Sequence, residues 1–518
     1  MGETKMDKTK VKSLQDLVRL AAEEYGDKAF VKEKAGKDVA EKSFNQFFTD
    51  TRKVASFLLE AMGPEKIHAA TIGPTSYAYL VGYFGTIMGG NVTVPLDAQL
   101  ACEDICDLMN RADVNVFFYD TRYAPMLPAI KINCPAIKVY VALQPHEGAE
   151  NVLTEITEKY DEAKIYDIPS ESLASIVYTS GTTGKAKGVM LTHGNLIDNA
   201  MCQDNESSPE DSLLSVLPIH HVYCFACDIL LSLRYGTTVC VNDAMMRIAQ
   251  NLKLFQPTII LLVPMIAETI LKQINAAAKA KGIPAAMVAQ AFFGGRLKGI
   301  YSGGAYLAPE IIKAYAEFGI PMAQGYGMTE CSPRIATADF NNVSMLGDVG
   351  TIVNGCEVKI VEGEIVVKSP SVMQGYYKFP EATAEALDAD GWLHTGDLGY
   401  AEDGRLYITG RKKNLIILSN GENVSPEELE NKFALIDLAA EVLVYAEEGF
   451  ITAEIFPNLD MCPDIDEAAA KLNEIIKEIN TTLPSSKTIR RLRVRDKEFE
   501  KTTSKKIKRN QSCQGEIK

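Results

Sequence analysis

The sequence predicts an α/β fold in which a large N-terminal domain is followed by a small C-terminal domain. Three observations support this prediction. The length of 518 residues exceeds what one ordinary hydrophobic core supports. Short apolar runs alternate with stretches of helical periodicity, which is typical of a parallel sheet with crossover helices. A new module then begins at Arg411, so residues 1–410 are assigned to the N-terminal domain and 411–518 to the C-terminal domain.

The alternation is clearest at the start of the chain. Helical periodicity covers 13–25 and 43–62, and Ser43 is in the position of an N-cap. A short strand, 69–73, precedes a helix near 76–88, and the pattern repeats with a strand at 92–95, a helix at 103–112 and a strand at 114–119. These segments predict layered sheets flanked by helices.

The last hundred residues read as a smaller α+β unit. Just before it, in the N-terminal domain, Asp403 and Gly404 predict a hairpin turn ahead of a strand at 405–410. Within it, Ser425 followed by Pro426 and two acids predicts the start of a helix. Strands are expected near 440–445 and 451–456, and a helix at 466–480.

Composition excludes several classes of protein. The net charge of −15 argues against nucleic acid as a partner. The first twelve residues are hydrophilic, so no signal peptide is predicted. The most apolar window, 259–266, is too short to span a bilayer and contains Pro264. A cytoplasmic protein without a transmembrane segment is expected, and peripheral membrane contact is left open.

Eleven cysteines are scattered along the chain without the density of a disulfide scaffold. Cys224 and Cys227 form a CxxC in an apolar run, with no partner motif at zinc-site spacing. We therefore interpret them as buried thiols rather than as metal ligands or a redox pair.

The most informative stretch runs from Ser175 to Asn195. An apolar run leads into Thr179, Ser180, Gly181, Thr182, Thr183, Gly184, Lys185, Ala186, Lys187 and Gly188, and a second apolar run follows. Glycines that permit close backbone approach, four hydroxyls and two lysines suit a polyphosphate. The Walker pattern fails because Ala186 follows Gly184 and Lys185. A flexible hairpin turn is the alternative.

Further along, three segments combine polar groups with glycines. Residues 324–330 place an aromatic ring between two glycines and add a hydroxyl and a carboxylate, which suits a base and a hard cation; an incidental loop is the alternative. Asp397, in a glycine-rich turn, can accept hydrogen bonds from a ribose diol or simply stabilise the turn. Gly303 and Gly304 fit a flat ring or a plain strand-to-helix turn.

These segments, in this order, resemble the adenylate-forming superfamily, which includes acyl-CoA synthetases, luciferases and the adenylation domains of peptide synthetases. The resemblance begins at TSGTTGKAKGVMLTHGNL and covers nearly the whole chain. It implies a small C-terminal domain that is mobile about a hinge at Lys413, and it implies ATP, Mg²⁺ and CoA as cofactor and co-substrates.

The resemblance also assigns roles to residues. It implies nucleotide contacts for the phosphate loop, for the adenine segment, for the segment around Tyr326 with its stacking ring, and for the ribose and phosphate contacts: Thr179, Ser180, Gly181, Thr182, Thr183, Gly184, Lys185, Gly303, Gly304, Ala305, Gln324, Gly325, Tyr326, Gly327, Thr329, Asp397 and Arg411. It makes Glu330 the magnesium ligand and places His221 at the carboxylate end of an acyl pocket. Thr329, His221 and Lys506 are the implied catalytic residues.

Lys506 lies in a basic tail that could also be a solvated surface. Two residues depart from the family's closing motif: Glu500 replaces the usual Pro and Lys505 the usual Gly. The spacing to Ile507 and Arg509 selects Lys506. At the hinge, Asn414 stands where the family often has Asp.

The function implied is an AMP-forming acyl-CoA ligase. A carboxylate attacks the α-phosphate of ATP, and the thiol of CoA then displaces AMP from the acyl-adenylate. A medium- or long-chain fatty acid is the expected substrate, because the segments 220–239 and 258–264 are rich in apolar residues; Asp228 is the one acid there. The alternatives are an adenylation enzyme that loads a separate carrier protein and a catalytically silent nucleotide-binding regulator.

Overall fold

The computed structural model describes residues 6–179, 186–203, 205, 207–341, 343, 347–418, 423–501 and 507–509. Its α-helices are α1 Leu14–Tyr25, α2 Phe44–Met62, α3 Tyr77–Met88, α4 Cys102–Arg111, α5 Leu127–Asn133, α6 Leu153–Lys159, α7 His193–Met201, α8 Val222–Cys224, α9 Leu231–Tyr235, α10 Ile248–Phe255, α11 Pro264–Lys281, α12 Ala285–Phe292, α13 Pro309–Glu317, α14 Pro380–Ala386, α15 Pro426–Glu430 and α16 Ile465–Thr481.

The strands are β1 Ala29–Ala35, β2 Asp38–Ser43, β3 His68–Ile72, β4 Val92–Leu96, β5 Val116–Tyr119, β6 Val139–Ala142, β7 Leu173–Thr179, β8 Lys187–Thr192, β9 Ser212–Ser215, β10 Thr238–Val241, β11 Ile259–Leu262, β12 Gly299–Ser302, β13 Met322–Gly327, β14 Arg334–Thr337, β15 Thr351–Ile352, β16 Glu357–Val361, β17 Glu364–Lys368, β18 Gly375–Tyr376, β19 Leu393–Glu402, β20 Arg405–Arg411, β21 Ile416–Ile417, β22 Asn423–Val424, β23 Ala439–Glu447, β24 Phe450–Pro457 and β25 Arg491–Val494.

Two large sheets carry most of the chain. One has the strand order β16-β17-β19-β20-β15-β14-β13-β12-β11-β9-β10-β1-β2, and its stretch from β13 to β1 is parallel. The other has the order β18-β8-β7-β4-β3-β5-β6 and is parallel from β7 to β6. Helices pack between and around the sheets because their apolar faces must be buried. This confirms the predicted α/β class with layered sheets flanked by helices.

A smaller α+β unit follows, in which β23, β24 and β25 form a separate sheet. It has its own hydrophobic core, which includes Leu429, Phe433 and Leu472. Arg411, the first residue of the predicted C-terminal domain, is still paired in the large sheet, opposite Asp397. The boundary between 410 and 411 and the mobility of the small domain stay predictions.

Local rules explain most helix starts. Ser43 caps α2 by accepting a hydrogen bond from the Gln46 amide, as the sequence predicts. The apolar run after His221 is less regular, because a π-helical segment, Phe225–Leu230, separates α8 from α9. Among the described residues, no helix has both the length and the apolar character needed to cross a membrane.

Candidate active site

A cleft of about 3490 Å³ lies at the carboxyl ends of parallel strands in the large sheet. Val263, Gly303 and Met328 follow β11, β12 and β13 directly, and all three line it. In open α/β sheets, ligands bind outside the carboxyl ends of the strands. Residues of the smaller unit, such as Lys432, also line it.

The predicted phosphate loop begins and ends at this cleft. Its flanking strands β7 and β8 are antiparallel, Thr179 pairs with Lys187, and both residues line the cleft. Ser180, Gly181, Thr182, Thr183, Gly184 and Lys185 lie outside the described residues, so their phosphate contacts stay predictions.

Arg111 supports the base of this loop, and sequence reasoning missed it. Its Nη1 donates a hydrogen bond to the carbonyl oxygen of Ala186 at 2.7 Å. Its guanidinium carbon lies 5.3 Å from the centre of the Tyr178 ring, which permits a cation–π contact. Arg111 ends α4, far from the loop in sequence, so no local pattern pointed to it.

The segment Gly303, Gly304 and Ala305 follows β12 and lines the cleft. A Cβ added at Gly303 would lie 3.0 Å from the Tyr223 ring, closer than normal packing allows, and Gly304 has φ +81°. The backbone therefore favours glycine at 304, and a side chain at 303 would require the Tyr223 ring to move. The predicted adenine contact of this segment remains untested.

Of the segment 324–330, five residues that carry predicted roles line the cleft: Gly325, Tyr326, Gly327, Thr329 and Glu330. Gln324 differs, because it is buried and its Nε2 donates to the Asp348 carbonyl oxygen at 3.3 Å. Burial raises the pKa of the Tyr326 phenol well above its usual value, so it stays a hydrogen-bond donor.

Asp397 is the centre of a charged cluster. It is only 4% exposed, and its Oδ2 accepts a hydrogen bond from the Tyr326 hydroxyl at 2.8 Å. Its Oδ1 lies 2.7 Å from Nε of Arg411, the residue opposite it on β20. The buried carboxylate is thus held on one side by a guanidinium group and on the other by a hydroxyl donor. Three predicted nucleotide-binding residues are thus joined by direct contacts.

Glu330 is also buried, with 8% exposure, and lines the same cleft. Its Oε1 accepts a hydrogen bond from the Tyr376 hydroxyl at 2.8 Å, and Nζ of Lys187 lies 4.9 Å from the Tyr376 ring centre. Sequence reasoning missed Tyr376, which is distant in sequence. No cluster of three or more potential ligands occurs among the described residues. A single carboxylate suits Mg²⁺, which takes its other oxygens from phosphate and water.

The two histidines take different positions. The His220 ring is buried, its Nε2 lies 3.6 Å from Asp97 Oδ2, and burial lowers its pKa, so it is neutral near pH 7. His221 directly precedes α8 and lines the cleft, with its ring centre 4.2 Å from that of His220. Its predicted role at the carboxylate end of the pocket stays a prediction.

Beyond the histidines the cleft has mainly apolar walls. The helical stretch 222–235 supplies Tyr223, Cys224, Cys227 and Leu231, and strands supply Leu213, Ile259, Leu261 and Tyr301. Asp228 is fully buried behind them, where Ser215 Oγ donates to its Oδ2 at 2.6 Å. Burial raises the pKa of Asp228 to about 7, so it is a weak candidate for holding an amine.

The smaller unit brings cations to the cleft. Lys413 lines it, and burial lowers the pKa of its ammonium. Lys501 pairs with Ile507, and Ile507, Lys508 and Arg509 all line the cleft. Lys506 lies outside the described residues, so its catalytic role stays a prediction. The hinge at Lys413 also stays a prediction.

Comparison with known proteins agrees with this geometry. The family model described as "AMP-binding enzyme" matches residues 18–377, and "AMP-binding enzyme C-terminal domain" matches 413–515. The chain is 34% identical to peroxisomal long chain acyl-CoA synthetase 7 of Arabidopsis thaliana, over 54% of this chain and 46% of that protein. It is 28% identical to long-chain-fatty-acid–CoA ligase FadD15 of Mycobacterium bovis, over 84% of each. It thus spans about half of the plant relative.

Solved structures share the fold. MatB of Rhodopseudomonas palustris with bound ATP matches with a TM-score of 0.81 and 23% identity, over 96% of this chain and 97% of that one. The anthranilate CoA ligase AuaEII in complex with anthranoyl-AMP matches with a TM-score of 0.85 and 17% identity, over 98% of each chain. The resemblance predicted from the motifs is therefore confirmed, and the chain belongs to the AMP-binding family of adenylate-forming enzymes.

Proposed function

We propose that this protein is an AMP-forming ligase that joins a medium- or long-chain fatty acid to CoA. In the first step the carboxylate oxygen attacks the α-phosphate of ATP, the bond to the β-phosphate breaks, and pyrophosphate leaves. In the second step the CoA sulfur attacks the acyl carbonyl carbon and AMP leaves with the electron pair of the broken bond, while the thiol proton passes to solvent.

One observation carries this proposal: segments from distant parts of the chain line a single cleft. The ends of the phosphate loop, the segment around Tyr326, the Asp397–Arg411 pair and the residues after Lys506 all face it. The sequence points to the phosphate loop for the phosphates, to Tyr326 for adenine and to Asp397 for the ribose. Their convergence supports a nucleotide site better than any one of them does.

Within that site the polar groups suit different parts of the nucleotide. The Tyr326 ring would stack on adenine, and Asp397, held by Arg411, would accept hydrogen bonds from the ribose hydroxyls. Thr329 and the phosphate loop would bind phosphate oxygens. Lys506 would stabilise the negative charge that develops on the α-phosphate. Gln324 would act through the backbone position of β13, because its side chain is buried elsewhere.

Glu330 would hold Mg²⁺, because its buried carboxylate is oriented by Tyr376 and faces the cleft. When bound, the ion supplies positive charge to the phosphates. The residues' own contribution is a fixed orientation, since the Tyr376 hydrogen bond holds one oxygen of Glu330 and leaves the other for a ligand.

The mainly apolar walls formed by Tyr223, Cys227, Leu231 and Leu261 favour a fatty acid over an amino acid, because burying an ammonium group against apolar side chains is costly. The curated relatives named above carry long-chain names, which supports the same substrate class.

CoA is the proposed acceptor of the acyl group, and a separate carrier protein is the competing acceptor.

We propose a cytoplasmic location, because the described cysteines are all free thiols, as is typical of reducing compartments.

The test is pyrophosphate release from ATP with carboxylates from acetate to palmitate, with aryl acids and with amino acids, each with and without CoA. We expect release that depends on a fatty acid, and thioester only when CoA is present. Release without thioester would replace CoA by a carrier protein. No release with any acid would refute the ligase and favour a silent nucleotide-binding regulator.

A further inference from the structure

An arginine lines the cleft in a position that the proposed reaction does not use. Arg334 is the first residue of β14 and pairs with Gly327 of β13 in the large sheet. Side chains on a strand point alternately to its two faces. Arg334 and Ala336 line the cleft, and Ile335 between them does not. The side chain of Arg334 therefore belongs to the face of β14 that forms a wall of the cleft.

The end of α7 holds this arginine in place. Nη2 donates a hydrogen bond to the Asn199 carbonyl oxygen and another, at 3.4 Å, to Cys202 Sγ, while Nε lies 3.4 Å from Asn199 Oδ1. Asn199 also binds the backbone of the strand, because its Nδ2 donates to the Arg334 carbonyl oxygen at 3.0 Å. All of these acceptors are neutral. They fix the guanidinium but do not balance its charge.

Arg334 differs from the other arginines of the cleft, because it has no carboxylate partner among the described residues. Three more arginines line the cleft there, and each forms an ion pair: Arg111 with Asp107 at 2.9 Å, Arg411 with Asp397 at 2.7 Å, and Arg509 with Glu430 at 2.5 Å. Nη1 of Arg334 makes no hydrogen bond within that same part of the chain. Asp204 and Glu206, which follow α7 in sequence, lie outside the described residues. A charged donor is thus available to a ligand.

The charge of Arg334 lies among buried side chains. Asn199 is fully buried, and Cys227 is 8% exposed. Burial raises the pKa of the Cys227 thiol to about 12, and the charge of Arg334 opposes that rise, so the guanidinium lies close to the helical stretch 222–235. On the same stretch, Ser232 lines the cleft, and its Oγ has no hydrogen-bond partner among the described residues. Because a buried charge without a counter-charge is costly, an anionic ligand would stabilise this wall.

We propose that Arg334 binds a second carboxylate of the substrate, so that the preferred substrate is a dicarboxylic acid with an apolar chain. One carboxylate reacts with ATP, and the other accepts a hydrogen bond from Arg334 Nη1. A carboxylate is also the partner that the other three arginines of the cleft have within the described chain. The mainly apolar walls contact the chain between the two carboxylates. This inference rests on the proposed function, because it names the substrate class of the same site.

The experiment measures pyrophosphate release from ATP with α,ω-dicarboxylic acids from succinate to hexadecanedioate and with the monomethyl ester of each. The ester has the same chain but a neutral end. Loss of one member of a buried charge pair weakens binding by about 30-fold or more, so kcat/KM for the best diacid should exceed that for its ester by this factor. Equal values, or a preference for the ester, would overturn the proposal and leave the ligase intact. No release with any acid would refute the ligase itself.

Variants at position 334 assign the preference to this side chain. Arg334→Met removes the charge and should abolish the preference for the diacid, whereas Arg334→Lys should keep part of it. The ratio of two substrates within one variant does not depend on how much of the enzyme folds, and the ratio in the parent remains a test if Arg334→Met does not fold. Lys432→Met is the matched control, because it removes an exposed cation that also lines the cleft and should leave the ratio unchanged. An equal loss with diacid and ester in Arg334→Met would show that Arg334 serves only the fold.

Discussion

Deleting the hydroxyl of Tyr376 should impair the proposed magnesium site without changing its shape. The hydroxyl donates to Glu330 Oε1 at 2.8 Å, while the ring packs near Nζ of Lys187. In Tyr376→Phe the ring and its contact with Lys187 remain. Only the hydrogen bond that orients the buried carboxylate is lost.

The size of the effect follows from the burial of Glu330. At 8% exposure its carboxylate has little water to replace the lost donor. A hydrogen bond to a charged group contributes about 1.5–3 kcal/mol, which corresponds to roughly 10- to 150-fold in rate or affinity. We therefore expect kcat/KM for Mg·ATP to fall within that range, with a higher Mg²⁺ concentration at half-maximal rate.

The assay is pyrophosphate release with a saturating fatty acid at varied ATP and Mg²⁺. Tyr377→Phe is the matched control, because its hydroxyl also donates to a carboxylate, Asp113 Oδ2 at 2.7 Å, but Asp113 is exposed. An exposed pair contributes at most about 1 kcal/mol, so the control should stay within about fivefold of the parent. If both variants had the same activity, Tyr376 would not orient a catalytic carboxylate.

Three further predictions concern the rest of the site and the fold. Lys506→Ala should lower the rate of adenylation by about 10²-fold or more, as loss of a transition-state donor does, whereas Lys505→Ala should not. Pyrophosphate release would be measured with both variants, and a larger loss in Lys505→Ala would assign the role to Lys505. Asp397→Asn should raise KM for ATP by roughly tenfold or more, since a neutral acceptor binds a diol more weakly than a charged one; an unchanged KM in steady-state kinetics would exclude the ribose contact. His193 Nδ1 accepts the Leu14 amide at 3.2 Å, and burial lowers the pKa of this histidine to about 4. The histidine therefore leaves the free energy of unfolding unchanged above its unfolded pKa of about 6.5, and lowers it by roughly 1.4 kcal/mol per pH unit as the pH falls from there toward 4. Urea unfolding at several pH values should show this slope in the parent and a smaller one in His193→Gln.

The elements that sequence predicted well are those with local causes. The start of α2 at Ser43 follows from a capping side chain, and strands β3, β4 and β5 follow from short apolar runs. The irregularity at Phe225–Leu230 was missed, because an apolar run does not distinguish an α-helix from a π-helical segment.

The residues of the site also divide into those with a local sequence signal and those without one. The glycines, hydroxyls and charges of the phosphate loop, of the segment 324–330 and of Asp397 could be selected in advance, because the chemistry of ATP requires those residue types. Arg111 and Tyr376 could not, because each contacts its partner across more than forty residues of chain and belongs to no local pattern.

The sequence by itself determined the family, the α/β class and the residue types of the nucleotide site, since these depend on composition, periodicity and motifs that need no third dimension. Only the tertiary structure decided that Asp397 lies between Tyr326 and Arg411 and that Tyr376 holds Glu330. Such contacts are fixed by the register and order of strands, which bring distant residues to one place, and periodicity along a single chain does not encode that order.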